Sequence, residues 1–82
     1  MRRYYFDIRD GDEIASDEEG MELPNIERVQ EEAARSLADM ARDAARQITQ
    51  HGDAHQMAIE VRDTDGPVMQ VSFSFNVKRL RE

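Results

Sequence analysis

Two short segments of this chain carry aspartates at alternate positions, which is the spacing of oxygen ligands in calcium loops. They are DIRDGDE at residues 7–13 and EVRDTDG at residues 60–66. A calcium loop also needs a ligand at its fifth position and a bidentate acid at its twelfth. Counted from either Asp10 or Asp63, the residues at those positions carry no carboxylate: Ile14, Met21, Pro67 and Ser74. We therefore predict that both segments are turns and that neither binds a metal, because Asp and Gly favour turns.

A pair of histidines in HGDAH, residues 51–55, is the second possible metal site. Histidines four residues apart share one face of an intact helix and can bind zinc. Gly52 lies between His51 and His55, however, and indicates that a helix ends here. His51 would then complement the negative helix terminus. We predict a cap or linker, and a small metal enzyme using His51, Asp53 and His55 is the least favoured alternative.

The sequence lacks the motifs of several common catalytic sites. It contains no cysteine, no glycine-rich phosphate loop and no Gly-x-Ser-x-Gly elbow. Asp17, Glu18 and Glu19 form an acid run, but paired general acids need a cleft that separates their pKa values. We interpret this run as a solvated loop, and we predict a protein with no enzymatic activity, no catalytic residue and no cofactor.

The composition predicts one small domain over residues 1–82. Hydrophobic residues make up 39% of the chain and charged residues 35%, which is typical of a globular domain with a heavily solvated exterior. No apolar run approaches the roughly 20 residues that a membrane span needs, and the amino terminus lacks the apolar stretch of a signal peptide. The absence of cysteine fits a reducing compartment. We expect a soluble cytoplasmic protein.

The formal net charge of -7 is unevenly distributed. Residues 10–22 hold seven acids and no base, whereas basic residues lie near both chain ends: Arg2, Arg3, Lys78, Arg79 and Arg81. Phosphate contacts need a basic surface, so the acidic balance argues against a nucleic-acid binder that works by bulk electrostatics.

Three segments alternate between apolar and polar residues with the period of a half-buried strand. They are residues 3–9, 57–62 and 69–78. Their apolar positions are Tyr4, Phe6, Ile8, Met57, Ile59, Val61, Met69, Val71, Phe73, Phe75 and Val77. The Asp-Gly signal in DTDGP predicts a hairpin over residues 57–78, and RDGDE predicts a turn into a short strand near residues 13–15.

Residues 26–50 show the period of an amphipathic helix. One apolar stripe contains Ile26, Val29, Ala33, Leu37, Met40, Ala44 and Ile48. Asn25 is the expected N-cap and Gly52 the expected stop. A second stripe contains Ala34, Ala38, Ala41 and Ala45. These alanines are interpreted either as good helix formers or as a seam between two copies of the chain.

Together these elements predict an α+β domain in the order β-β-α-β-β. We expect a mostly antiparallel four-stranded sheet with one face covered by the long helix and the other face polar. The strand order stays open. A small domain with a single covering helix has exposed sheet edges and a limited core, so we expect it to pair as a homodimer.

The chain resembles a family of short bacterial proteins that carry a domain of unknown function. The resemblance lies in YYFDIRDGD at 4–12, DEEGMEL at 17–23, EEAARSLADMARD at 31–43 and AIEVRDTDG at 58–66. It implies a small cytoplasmic α+β protein and assigns no activity. A shorter segment, GMELPNIERVQEEAARSL at 20–37, resembles HicB-type antitoxins, although the strand that precedes the helix in that family is not evident.

Two functions follow from these observations. The first is a non-enzymatic interaction module that binds a protein partner through an acidic segment or the polar sheet face. Its predicted binding residues are Asp17, Glu18, Glu19 and Glu22. The alternative is nucleic-acid or nucleotide binding, with stacking on an aromatic ring and phosphate contacts from basic side chains. Its predicted residues are Tyr5, Arg9, Arg62, Lys78 and Arg79.

Overall fold

Five strands and one helix follow one another in the part of the chain that the computed structural model describes, residues 1–48, 55–76, 78, 80 and 81. They are β1 (Arg2–Asp10), β2 (Glu13–Ala15), β3 (Met21–Leu23), α1 (Ile26–Ile48), β4 (His55–Asp63) and β5 (Gly66–Phe75). Every strand pair is antiparallel, and α1 packs against β4 and β5. The predicted α+β class is confirmed, and one short strand is added before the helix.

The strand order is β2-β1-β4-β5, and β3 also pairs with β1. The outer edge of β1 therefore has two short partners. β2 pairs with residues 8–10 of β1, and β3 pairs with residues 2–4. The sequence pattern does not predict β3, because three residues show only one alternation of apolar and polar positions.

Both aspartate-rich segments form two-residue hairpin turns, as predicted. Asp10 is the register partner of Glu13, and Asp63 is the partner of Gly66. Asp63 Oδ1 accepts the N–H of Asp65 at 2.8 Å, so this aspartate bonds to its own turn. In the described residues, no group of three or more His, Asp or Glu side chains is placed to hold a metal ion.

The predicted cap or linker at residues 51–55 lies outside the described residues, apart from the backbone of His55 at the start of β4. The start of α1 is described and agrees with its prediction. Asn25 Oδ1 accepts the N–H of Arg28 at 2.9 Å, and the Asn25 carbonyl accepts the N–H of Val29 at 3.2 Å. Asn25 is therefore the N-cap.

The core lies between α1 and the sheet. Its most completely buried large side chains are Val29, Ile59 and Val61. The predicted apolar face of β4 is confirmed, since Met57, Ile59 and Val61 are all buried. Two expected core positions are corrected. Ile8 is 37% exposed, because α1 packs over β4 and β5 and leaves the last part of β1 uncovered. Ile26, the first residue of α1, is 45% exposed.

Candidate functional site

The face of the sheet opposite α1 carries the polar side chains of three neighbouring strands, and we call it the polar face. It contains Tyr5, Asp7, Arg9, Gln56, Glu60, Arg62, Gln70, Ser72 and Ser74. These residues alternate along each strand with those that face the helix, so the period-two pattern of the sequence places them together.

Arg62 is held on the polar face by contacts on several sides. Its Nε donates to Asp7 Oδ2 at 2.8 Å, and its Nη2 donates to the carbonyl of Asp17 at 2.9 Å. The guanidinium carbon also lies 4.6 Å from the centre of the Tyr5 ring. The strand register brings the guanidinium and the ring together, because Tyr5 on β1 is the register partner of Arg62 on β4. A carboxylate, a carbonyl and an aromatic ring together fix the orientation of this cation.

Next to Arg62, two acidic residues face each other across β1 and β4. Asp7 is the register partner of Glu60, and like charges directly opposite each other destabilise a sheet. Two arginines offset this repulsion. Arg62 bonds to Asp7, and Arg9 Nε donates to Glu60 Oε2 at 3.0 Å. The four side chains carry two charges of each sign, so the centre of the polar face is electrically balanced.

Asp17 ties the loop of residues 16–20 to β1, and we call this set of bonds the Asp17 clasp. Its Oδ2 accepts the N–H of Phe6 at 3.1 Å, and its Oδ1 accepts the N–H groups of Glu19 and Gly20, each at 3.1 Å. Its own N–H donates to Asp7 Oδ1 at 2.9 Å. Phe6 lies between the parts of β1 that pair with β2 and β3. The carboxylate thus satisfies a backbone donor that neither short strand reaches.

These contacts shift the pKa values of the groups involved. The hydrogen bond from Arg62 lowers the pKa of Asp7, and the same bond raises the pKa of Arg62. Burial opposes ionisation of Asp17, but the N–H donors of Gly20, Phe6 and Glu19 outweigh it, so the pKa of Asp17 is also lowered. Both aspartates are therefore held in the ionised form that the clasp requires.

The four acids predicted to bind a partner have different environments. Asp17 points inward and serves the clasp, whereas the side chains of Glu18 and Glu19 are exposed. Glu22 is exposed and lies 3.8 Å from Arg3 Nη2. We call the exposed acids of the β1–β2 turn, β2, the loop and β3 the acidic edge: Asp12, Glu13, Glu18, Glu19 and Glu22. Two exposed apolar residues in the same region were not predicted from the sequence: Ile14, at 55% exposure, and Met21, at 41%.

The residues predicted to bind nucleic acid are only partly brought together. Tyr5, Arg9 and Arg62 share the polar face, but both arginines are bonded to carboxylates. Lys78 is exposed beyond the end of β5, and Arg79 lies outside the described residues. β4 separates β1 from β5, so the basic ends of the first and last strands are not on neighbouring strands.

Two shallow depressions lie on the polar face and share Gln70. The larger encloses about 400 Å³ and is lined by Asp7, Glu60, Arg62 and Pro67. The smaller encloses about 250 Å³, with Ser72 and Ser74 in its lining. Their lining offers amide, hydroxyl and charged groups to a bound surface, and that of the larger depression also includes the apolar residues Val61, Val68 and Met69. Both depressions are too open to exclude water from a reaction.

The chain belongs to the family described as Domain of unknown function (DUF6894), whose model matches residues 3–74. This confirms the resemblance to short proteins with a domain of unknown function. No curated protein and no solved structure matches the chain. The resemblance of residues 20–37 to HicB-type antitoxins stays a prediction. In the described part of the chain, no helix combines the length and apolarity needed to cross a membrane.

Replacing Asp17 with Asn should weaken the fold at neutral pH. The amide can accept hydrogen bonds through one atom only, so either the N–H of Phe6 or the N–H groups of Glu19 and Gly20 lose their acceptor, and a buried unsatisfied donor costs about 1–3 kcal/mol. The folded-state pKa of Asp17 lies below that of an unfolded aspartate, about 3.9. Its stabilisation is therefore present above that pH and is lost as the pH falls through the folded-state value.

Urea unfolding of wild type and D17N at pH 7 and at pH 2.5 tests this prediction. The difference in unfolding free energy should be large at pH 7 and smaller at pH 2.5. Asp43→Asn is the matched control, because Asp43 is exposed on α1 and its loss should change stability by less than about 0.5 kcal/mol. A D17N protein as stable as wild type at pH 7 would contradict the clasp.

Gly20 and Gly11 should respond differently to replacement by Ala. Both have positive φ, at 73° and 62°, which costs an L-residue about 1–2 kcal/mol. A Cβ at residue 20 would also lie 2.9 Å from the Tyr4 carbonyl oxygen and from two side-chain carbons, whereas a Cβ at residue 11 meets nothing within 4 Å. Overpacking adds about 1–3 kcal/mol, so thermal unfolding should show a larger loss for G20A. Equal losses would show that the loop does not lie against β1.

Proposed function

We propose that this protein is a non-enzymatic interaction module that binds a basic protein partner through the acidic edge and the adjoining polar face. The observation that carries the proposal is the Asp17 clasp, which fixes the backbone of an exposed acidic loop to the sheet. Glu18 and Glu19 follow Asp17 directly, and the N–H of Glu19 is one of the bonds that close the loop. A surface that is ordered before binding loses less conformational entropy when the complex forms.

The composition of the acidic edge suits a protein partner. Exposed carboxylates attract a basic surface and steer its approach, while fully desolvated apolar side chains supply most of the binding energy at protein interfaces. Ile14 and Met21 provide exposed apolar area on β2 and β3, beside the acids. A basic partner that also presents apolar side chains therefore complements this region better than a purely charged ligand does.

The polar face supports nucleic-acid binding less well. A phosphate backbone requires cations that are free to exchange their contacts, whereas Arg62 and Arg9 are each bonded to a carboxylate of the same face. Arg62 also lies over the Tyr5 ring, which a base would need for stacking. Both features favour a protein surface as the ligand of this side of the molecule.

The double variant E18Q/E19Q tests the proposal. Both side chains are exposed, and the hydrogen bonds of the clasp in this segment use the backbone of Glu19 rather than its carboxylate. We expect wild-type bait to capture a specific basic protein from its own cells. With the purified partner, we expect E18Q/E19Q to raise the dissociation constant by about tenfold or more, which corresponds to ~1.4 kcal/mol.

Asp39→Asn combined with Asp43→Asn is the matched control, since it removes the same two negative charges from the exposed surface of α1. Its affinity for the partner should stay within about twofold of wild type if the attraction is local to the acidic edge. Equal weakening by both double variants would reduce the effect to net charge and would contradict the proposed site. Recovery of nucleic acid alone, abolished by nuclease, would contradict the proposed partner class.

A further inference from the structure

The outer edge of β5 has features that proteins usually avoid on a free strand. β5 is the last strand in the sheet order, and in the described residues no strand pairs with its outer side. It runs for ten residues, Gly66–Phe75, without a single Asp, Glu, Lys or Arg. Free edges are normally protected by charged side chains, prolines, bulges or short strands. Here Pro67 and a bulge at Val68 protect only the start, and residues 69–75 are left without such protection.

The opposite edge of the sheet is protected in several ways. β1 is covered there by two three-residue strands, and the Asp17 clasp fills the space between them. That edge also carries the exposed acids of the acidic edge. The two edges of the sheet therefore differ, and among the strands that the structure describes only β5 presents a long uncharged edge for pairing.

We propose that β5 is a dimerisation edge, through which two copies of the chain pair antiparallel about a two-fold axis and form one continuous sheet. This inference concerns a different surface from the acidic edge and goes beyond the proposed function. The strand that pairs with this edge is β5 of a second copy of the chain, because β5 is complementary to itself in both hydrogen bonding and side-chain pattern.

The side chains of β5 are compatible with this pairing on both faces of the sheet. Val71, Phe73 and Phe75 are half-buried and alternate with the exposed residues Gln70, Ser72 and Ser74. An antiparallel two-fold pairing that keeps both helices on one face places apolar residues opposite apolar ones and polar residues opposite polar ones. The Phe73 and Phe75 rings stack with their centres 6.3 Å apart, and a second copy would cover their remaining exposed area.

The charge distribution also favours β5 over the other edge. In a continuous sheet of order β2-β1-β4-β5 and its symmetry copy, seven strand spacings of about 4.8 Å separate the two β2 strands, which gives roughly 34 Å. This exceeds the Debye length of about 8 Å at physiological salt, so the two acidic edges barely repel each other. Pairing through the acidic edges would instead bring like charges together.

The position of α1 is compatible with this arrangement. The helix packs over β4 and β5, so the two helices of the dimer would lie on one face with axes roughly 10–14 Å apart, close to helix contact distance. Ala34 and Ala38 of the alanine stripe are exposed, and their small side chains would allow a close approach. Pairing would also bury further apolar surface. The core of a single chain is small, since its largest fully buried side chain is an isoleucine, Ile59.

Light scattering of the purified protein provides the first test. We expect a mass of twice the 9.5 kDa of one chain at micromolar concentration. Ser72→Lys should raise the dimer dissociation constant by about tenfold or more, because it places two lysines near the two-fold axis and gives β5 the charge that protects free edges. Gln56→Lys is the matched control, since Gln56 is exposed on the same face but lies on the inner strand β4.

Spin labels locate the interface independently of these variants. The chain has no cysteine, so S72C and E18C each accept a single label. In the proposed dimer, the distance between labels on the two copies should be short for residue 72 and at least about 30 Å for residue 18. A monomeric wild type at hundreds of micromolar would overturn the inference. A short distance at residue 18 with a long one at residue 72, or equal weakening by S72K and Q56K with unchanged circular dichroism, would overturn it as well.

Discussion

The N–H group of Phe6 points to a gap between two short strands, and the carboxylate of Asp17 accepts its hydrogen bond at 3.1 Å. This contact decides the shape of one side of the molecule. It lets β1 run unbroken over nine residues although neither outer strand covers its middle. It also connects to the polar face, because the N–H of Asp17 bonds to Asp7 and the carbonyl of Asp17 accepts a bond from Arg62.

The acidic loop therefore contains one residue that holds it to the sheet and two residues whose side chains are exposed. Asp17 is ionised and enclosed by donors, whereas Glu18 and Glu19 extend from the same turn into solvent. The contrast with β5 is marked, since that strand ends the other side of the sheet with an uncharged edge. One edge is thus suited to an oppositely charged partner and the other to a second copy of the chain, and the two proposals concern opposite edges of the sheet.

Much of this fold could be predicted because its strands and helix obey simple periods. Alternation located β1, β4 and β5, the Asp-Gly signals located both turns, and Asn25 marked the start of α1. β3 escaped detection because it is too short to show a period. The inward orientation of Asp17 was not predicted, because an aspartate beside two glutamates suggests a solvent-exposed side chain. Gly20, three residues after Asp17, was the available signal, since Asp side chains commonly cap such turns.

Amide hydrogen exchange at Phe6 tests the central contact most directly. If the Asp17 carboxylate holds this N–H, Phe6 should exchange about as slowly as the paired amides of β1 and β4 in the wild type. In D17A, which removes both carboxylate oxygens, its exchange should become about tenfold faster or more, while Ile59 in the middle of β4 should change much less. Exchange at Phe6 as fast as in an open loop in the wild type, or unaltered by D17A, would contradict the proposed contact.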